Sequence, residues 1–454
     1  MVVCIGLVAR LWLFTSPPDG SHEWRQTQTL MYAASYAHGA PWLAPWVTWY
    51  GARPRPGVLE LPVYSILAYL LSRPWGLLIG ARIVSLACGV ASIVVFDGIC
   101  KLRRHPRRRL ATALFILSPS AIWASHATQP DGLLLLLTLT SVYCFLRAES
   151  RRFFWLCAAT VALVSASLIK PTAIITLTPV LLYVAWRTGR LVSATVAIAL
   201  TACAVGLWAL HDRALLLSAA PDWYMANTRW FKAPLRSVFD PGLYGNLSRR
   251  LLLVLLPPFA IILLLLGVLR KSVRTRIDVF WWLWLGGGAA SVIVFSELNN
   301  VHHYYQLLFI PALAAVVAYA FPAWTSRKGI AGLAMVVAVL GGPVSARILD
   351  AGDPTRYDAG VSLGRRSDAS RPVVVLSLQG SAPWYPTVLY YADRNGWNLP
   401  LDVTTERLSA LPQPVPCVMV IVRDGPFKGV PQNWEAKTET ASYIIARRLS
   451  ADCG

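Results

Sequence analysis

Charge is scarce in this chain: only 14% of its 454 residues are Asp, Glu, Lys or Arg, against about 25% in soluble domains. Acids are scarcer than bases, 22 against 42, so the few charges carry a net +20. The chain has no CxxC pair, and its eight cysteines show no ligand-like spacing, which argues against a zinc centre or a dithiol redox motif. It also lacks a Walker or GxGxxG fingerprint, so no nucleotide cofactor is expected. No repeat of 20–50 residues is visible, which speaks against a solenoid. A basic balance can mean nucleic acid, but that needs the charge on a soluble face or arm. Here the Arg clusters sit between apolar runs.

Apolar residues are plentiful, at 56% with a mean hydropathy of +0.51, and they place the chain in a membrane. A spanning helix needs roughly 20 apolar residues. The apolar runs at 2–14, 80–100, 110–124, 131–146, 153–169, 171–186, 191–210, 251–269, 278–296, 304–323 and 330–348 predict about 11 transmembrane helices. Loops 101–109, 147–152, 187–190, 270–276 and 327–328 hold seventeen Lys and Arg opposed only by Glu149, whereas 125–130 and 297–303 hold none. By the positive-inside rule the five basic loops are cytoplasmic, and they account for +16 of the net +20. The apolar stretch 61–72 is too short to cross at about 1.5 Å per residue. It is expected to be a juxtamembrane or re-entrant helix. The first run has no basic n-region, which argues against a cleaved signal peptide; it reads either as an uncleaved anchor or as a run whose true start lies upstream.

This topology sends outward a first loop 15–79, a turn at 125–130, a second loop 211–250, and everything after about 349. Residues 350–454 balance eleven Lys and Arg against eleven Asp and Glu. β-like runs at 372–378 and 417–422 and a helical stretch near 386–395 predict a small extracytoplasmic α/β domain there. The expected division is therefore a catalytic transmembrane module over 1–349 and an α/β domain over 350–454. Cys417 and Cys453 would pair if this domain meets an oxidising compartment.

Titratable groups collect on the predicted outer side: Asp19, His22, Glu23 and Arg25, then Glu60, Asp131, Lys170 and the run His302-His303-Tyr304-Tyr305. Polar groups beside spans are costly, so such a collection is read as a site. Plainer roles compete. Asp131 suits a helix N-terminus, Lys170 can snorkel, and Trp42, Trp46, Trp49, Trp223 and Trp230 suit an interfacial belt. His22, Glu23, His302 and His303 are candidate ligands for a divalent metal, though no spacing demands one.

Several segments resemble, in order, those of bacterial GT-C superfamily glycosyltransferases, the membrane enzymes akin to glycosyltransferase family 39 and the lipid A aminoarabinose transferases. His22-Glu23-Trp24-Arg25-Gln26-Thr27-Gln28-Thr29 is similar to H-D/E-W-R-Q-x-x-T, and Glu60-Leu61-Pro62-Val63-Tyr64 to E-x-P-x-Y. Gly80-Ala81-Arg82-Ile83-Val84-Ser85, Pro130-Asp131, Lys170-Pro171-Thr172 and His303-Tyr304-Tyr305-Gln306-Leu307 follow. Tyr390-Tyr391-Ala392-Asp393-Arg394-Asn395-Gly396-Trp397 resembles an element of the extracytoplasmic tail.

The resemblance implies transfer of a sugar from a polyprenyl-phosphate donor to a lipid, glycan or protein acceptor outside the cytoplasmic membrane, with a catalytic acid in the first outer loop. One position departs: Leu61 stands where aminoarabinose transferases carry Lys, so a phosphate contact must come from Lys170, Arg25, Arg82, Arg229 or Lys232. The chemistry assigns Glu23 as general base and Lys170 with Arg25 as phosphate stabilisers. Glu60 and Asp131 would orient the base, bind sugar hydroxyls or hold a metal. His303, Tyr304 and Tyr305 would line the donor pocket. A lipid-linked saccharide ligase or polymerase is the alternative enzyme. A transporter would place its polar groups near the midplane and show inverted repeats, and a scaffold would not need Glu23.

Overall fold

The computed structural model describes residues 2–219, 235–257, 277–320, 354–365, 371–377 and 385–450 apart from 13, 19, 58, 59, 149–151, 236, 413, 415 and 426–428, together with 260, 343, 349 and 453. In chain order the helices and strands begin α1 (Val2–Leu11), α2 (Glu23–Ala37), β1 (Trp46–Val47), β2 (Arg55–Pro56), α3 (Val63–Trp75), α4 (Leu77–Leu102), α5 (Arg108–Ile116) and α6 (Pro119–Ala124). They continue with α7 (Asp131–Arg147), α8 (Arg152–Ile169), α9 (Thr172–Arg187), α10 (Leu191–Ala219), α11 (Pro241–Leu253), α12 (Val279–Val294), α13 (Ser296–Val301), a 3₁₀ helix (His303–Phe309) and α14 (Ile310–Ala320). The last elements are α15 (Thr355–Gly364), β3 (Val373–Ser377), α16 (Thr387–Ala392), β4 (Gly396–Pro400), α17 (Thr405–Ser409), β5 (Val418–Val422), β6 (Trp434–Glu439) and β7 (Tyr443–Arg448).

The chain forms two compact units. One comprises residues 1–15, 79–211 and 226–349, the other 16–78, 212–225 and 350–454.

The first unit is helical. Among the described residues, α4 and α10 are long and apolar enough to cross a membrane by themselves. Val192, Val196, Leu200, Leu207 and Leu210 on α10 and Val161 on α8 are exposed, a surface suited to hydrocarbon rather than water. The expected spans at 251–269 and 330–348 lie largely outside the described residues. The run 110–124 is not one helix. α5 stops at Ile116, Ser118 caps α6 by accepting from the Ala121 N–H at 3.2 Å, and Pro119 opens it. Proline cannot donate within a helix and disfavours helical backbone before it, so the break is written in the sequence. The expected start of the span at 304 is likewise a 3₁₀ turn that becomes helical only at Ile310. Helices α9 and α12 approach closely at Gly287, where a Cβ would lie 2.1 Å from the Thr176 carbonyl oxygen.

The second unit carries a five-stranded sheet in the order β4-β3-β5-β7-β6. β3 is parallel to β4 and β5, while β7 is antiparallel to β5 and β6. Strands β3 and β5 are Val-rich and buried on both faces, as central strands with covered faces should be. One core layer joins Val373, Val375, Val420 and Ile445 to Leu363, Val388 and Leu389 and to Met31, Tyr32 and Trp49 of the segment 16–78. Trp49 is 1% exposed and is a core residue rather than part of an aromatic belt. The segment is also tied to the sheet edge by its backbone: Gly51 N–H donates to the Gly396 carbonyl (2.8 Å), and Gly396 N–H to that of Thr48 (2.9 Å). The apolar stretch 61–72 is helical as α3, which packs against α2. Cys417 and Cys453 form a disulfide with Cα atoms 5.4 Å apart.

Candidate functional site

The predicted site residues divide between the two units. In the second unit, Glu23 opens α2 directly after His22, whose backbone is left-handed at φ 58°. An acidic residue in the first turn suits the helix dipole. Arg356, near the start of α15, donates from Nη1 to Glu23 Oε1 at 2.8 Å and from Nη2 to Asp424 Oδ2 at 2.6 Å. All three side chains are at most 14% exposed. The Tyr385 ring lies 5.5 Å from the Arg356 guanidinium carbon and 5.8 Å from the Trp24 ring. Burial alone would lower the Arg356 pKa, but the Glu23 and Asp424 carboxylates together outweigh it and raise it. The Tyr385 hydroxyl is pushed up to about 12, first by burial and then by the Glu23 charge.

Two turns' worth of α2 carries a second network. Arg25 pairs through Nη2 with Glu60 and donates from Nη1 to Gln28 Oε1 at 2.6 Å. Gln28 Nε2 donates to the Tyr32 hydroxyl at 2.9 Å, and that hydroxyl donates to the Gly57 carbonyl. The effect is to fix Glu60, which precedes α3, against the buried face of α2. Arg25, a candidate phosphate contact, is in contact with Glu60 and Gln28.

The first unit brings together Asp131, Lys170, Tyr304 and Tyr305. Asp131 begins α7 and is fully buried, while Lys170 ends the turn between α8 and α9 and is 5% exposed. Lys170 Nζ donates to Asp131 Oδ1 at 2.5 Å and lies 4.2 and 4.5 Å from the Tyr304 and Tyr305 ring centroids. The remaining Asp131 oxygen, Oδ2, is buried with no hydrogen-bond partner among the described residues. Trp123 of α6 stacks parallel to Tyr304 at 6.2 Å and meets His303 edge-on at 4.6 Å. Gln129, two residues before Asp131, is buried, and neither its Oε1 nor its Nε2 finds a partner among the described residues. Arg82 is buried on α4. A lysine so placed is committed to a carboxylate and two aromatic faces, which snorkelling to an interface would not require.

Arg229 and Lys232, the other phosphate candidates, lie outside the described residues, as do Asp19, Trp223 and Trp230. Among the described residues, no three side chains of His, Cys, Asp or Glu are grouped to hold a metal ion.

The residues the sequence reading missed are Arg356, Asp424 and Tyr385. Arg356 is 333 positions from Glu23 and is one of eleven bases in a segment of zero net charge, so nothing local marks it. Its importance is testable. Arg356→Gln leaves Glu23 and Asp424 buried without their shared counter-charge, and breaking such a pair costs roughly 3–5 kcal/mol. Thermal unfolding in detergent should show a clear drop for Arg356→Gln and a smaller one when Asp424→Asn is added. Equal stability of the single variant and the native protein would contradict this.

Residues 78–232 match the family of dolichyl-phosphate-mannose-protein mannosyltransferases. No curated protein sequence matches the chain. The structure is similar to that of ArnT from Cupriavidus metallidurans bound to undecaprenyl phosphate, at 14% identity and a TM-score of 0.63, covering 100% of this chain and 98% of that one. The same protein in the apo state gives 12% identity and 0.64 with equal coverage. The oligosaccharyltransferase of Archaeoglobus fulgidus in complex with zinc and sulfate is similar at 12% identity and a TM-score of 0.55, over 93% of this chain and 68% of that one. These are GT-C superfamily glycosyltransferases, and the resemblance read from the motifs holds at the level of the fold.

Proposed function

We propose that the chain is an integral membrane glycosyltransferase that moves a sugar from a polyprenyl-phosphate donor to an acceptor on the outer face of the cytoplasmic membrane. The carrying observation is the end-to-end likeness to a transferase that binds undecaprenyl phosphate, in a chain whose own motif residues stand at helix starts and turns. In the reaction, the acceptor hydroxyl oxygen attacks the anomeric carbon, the bond from that carbon to the phosphate oxygen breaks, and polyprenyl phosphate leaves. Attack opposite the leaving group inverts the anomeric centre.

Glu23 takes the hydroxyl proton as the bond forms. Arg356 holds the carboxylate in place through Oε1. Lys170, paired with Asp131 and lying over the Tyr304 and Tyr305 rings, supplies positive charge for the phosphate. Arg25 and Glu60 act as a strut between α2 and α3. The basic loops lie in the cytoplasm and residues 350–454 outside it, where the Cys417–Cys453 bridge is stable.

The likeness to an oligosaccharyltransferase favours a second reading, in which the donor is a lipid-linked oligosaccharide. Purified protein supplied with a panel of polyprenyl-monophosphate sugars and a polyprenyl-diphosphate oligosaccharide separates the two. Release of polyprenyl phosphate with sugar transferred from a monophosphate donor is the expected result. Transfer from the diphosphate alone supports the second reading, and none from either refutes both.

A further inference from the structure

One motif has no role in the chemistry above: Tyr390-Tyr391-Ala392-Asp393-Arg394-Asn395-Gly396-Trp397. In the second unit it forms the end of α16, the turn after it and the start of β4. That turn is one wall of a cavity of about 300 Å³, whose other walls are the far half of α2, from Met31 to His38, and the β1–β2 segment with Trp46 and Thr48. Its volume lies at the small end of roughly 300–1,000 Å³ for ligand pockets, enough for a compact polar molecule.

The lining has the character of a site. Trp46 and Tyr390 supply aromatic walls. The His38 ring and the Asp393 carboxylate are exposed in the lining, and neither makes a hydrogen bond or ion pair among the described residues. Asn395 Oδ1 is buried and lacks a partner among the described residues. Asp393 is held at φ 52°, a left-handed conformation unusual outside Gly, Asn and Asp. A carboxylate and an amide carbonyl accept from adjacent hydroxyls, an imidazole can donate or accept, and an aromatic wall takes an apolar ring face. Sugars present that combination of vicinal hydroxyls and apolar C–H faces.

The position along α2 says which sugar. The lining begins at Met31 and runs to His38, about 12–22 Å along the axis from Glu23 at about 1.5 Å per residue. A ring bound there cannot be the one undergoing transfer at Glu23. We propose that this cavity is a saccharide subsite for a distal part of the acceptor, which is therefore a glycan chain rather than a single small sugar. The proposal rests on the glycosyltransferase reading for the identity of Glu23's substrate, but the binding itself can be measured without transfer.

Full-length protein in detergent is titrated with the methyl glycosides of mannose, galactose, arabinose and N-acetylglucosamine by saturation-transfer difference NMR. Native protein should bind at least one saturably. His38→Ala and Asp393→Asn should each weaken it tenfold or more, Asn being compatible with the left-handed backbone. Glu23→Gln should leave it unchanged. The subsite is overturned if none of the four binds or if both lining variants bind as the native protein does. Binding with these losses but no transfer from any donor refutes the transferase reading alone, whereas transfer without binding refutes the subsite alone.

Discussion

Glu23→Gln lowers the transfer rate about 10²–10⁴-fold, the range contributed by a positioned general base, and leaves the acceptor KM within a few-fold. The substitution preserves size, and the amide oxygen can still accept from Arg356 Nη1, which donates at 2.8 Å in the native pair. What is lost is the ability to take a proton. A residue that only shapes the loop would instead shift KM or stability, so the informative measurement is the split between kcat and KM together with thermal unfolding. A fall in kcat of less than about tenfold would remove Glu23 from the role of base. Arg356 sharpens the expectation. Because it also bridges to Asp424, the carboxylate is fixed to the sheet-bearing part of its own unit, and proton transfer to a fixed acceptor depends on geometry that Gln retains.

Much of this was written locally. Val-rich runs became β3 and β5 because alternation is unnecessary in strands covered on both faces. The short stretch 61–72 became α3, closed by Pro74 and Gly76. Asp131 after Pro130 became the start of α7. The Ser118-Pro119 break was equally visible in the residues and was hidden only by the apolar run around it. Strands β6 and β7 escaped because WEAKTE and YIIARR carry charges along exposed or edge positions. The tertiary partners were illegible for a different reason. Arg356 meets Glu23, and Asp424 meets Arg356, through folding of segments more than three hundred positions from Glu23, and no spacing rule links them. The same holds for Gly51, Thr48 and Gly396, whose backbone exchange ties the β1–β2 segment to β4.

Lys170→Met is expected to damage stability and chemistry together, and the two losses can be separated. Asp131 is fully buried with Lys170 as its cation at 2.5 Å. Removing the ammonium leaves a carboxylate uncompensated, at a cost of roughly 3–5 kcal/mol, and also strips the charge lying over Tyr304 and Tyr305. The double variant Lys170→Met with Asp131→Asn removes both charges at nearly constant volume, which is often close to neutral for buried pairs. Its melting temperature should therefore return most of the way to that of the native protein. If Lys170 stabilises the phosphate as it leaves, transfer does not return: loss of one electrostatic group at such a centre costs about 10²–10³-fold in kcat. A structural pair alone predicts that activity recovers with stability. Measuring unfolding and kcat on the same two preparations therefore decides between a phosphate cation and a helix-packing ion pair.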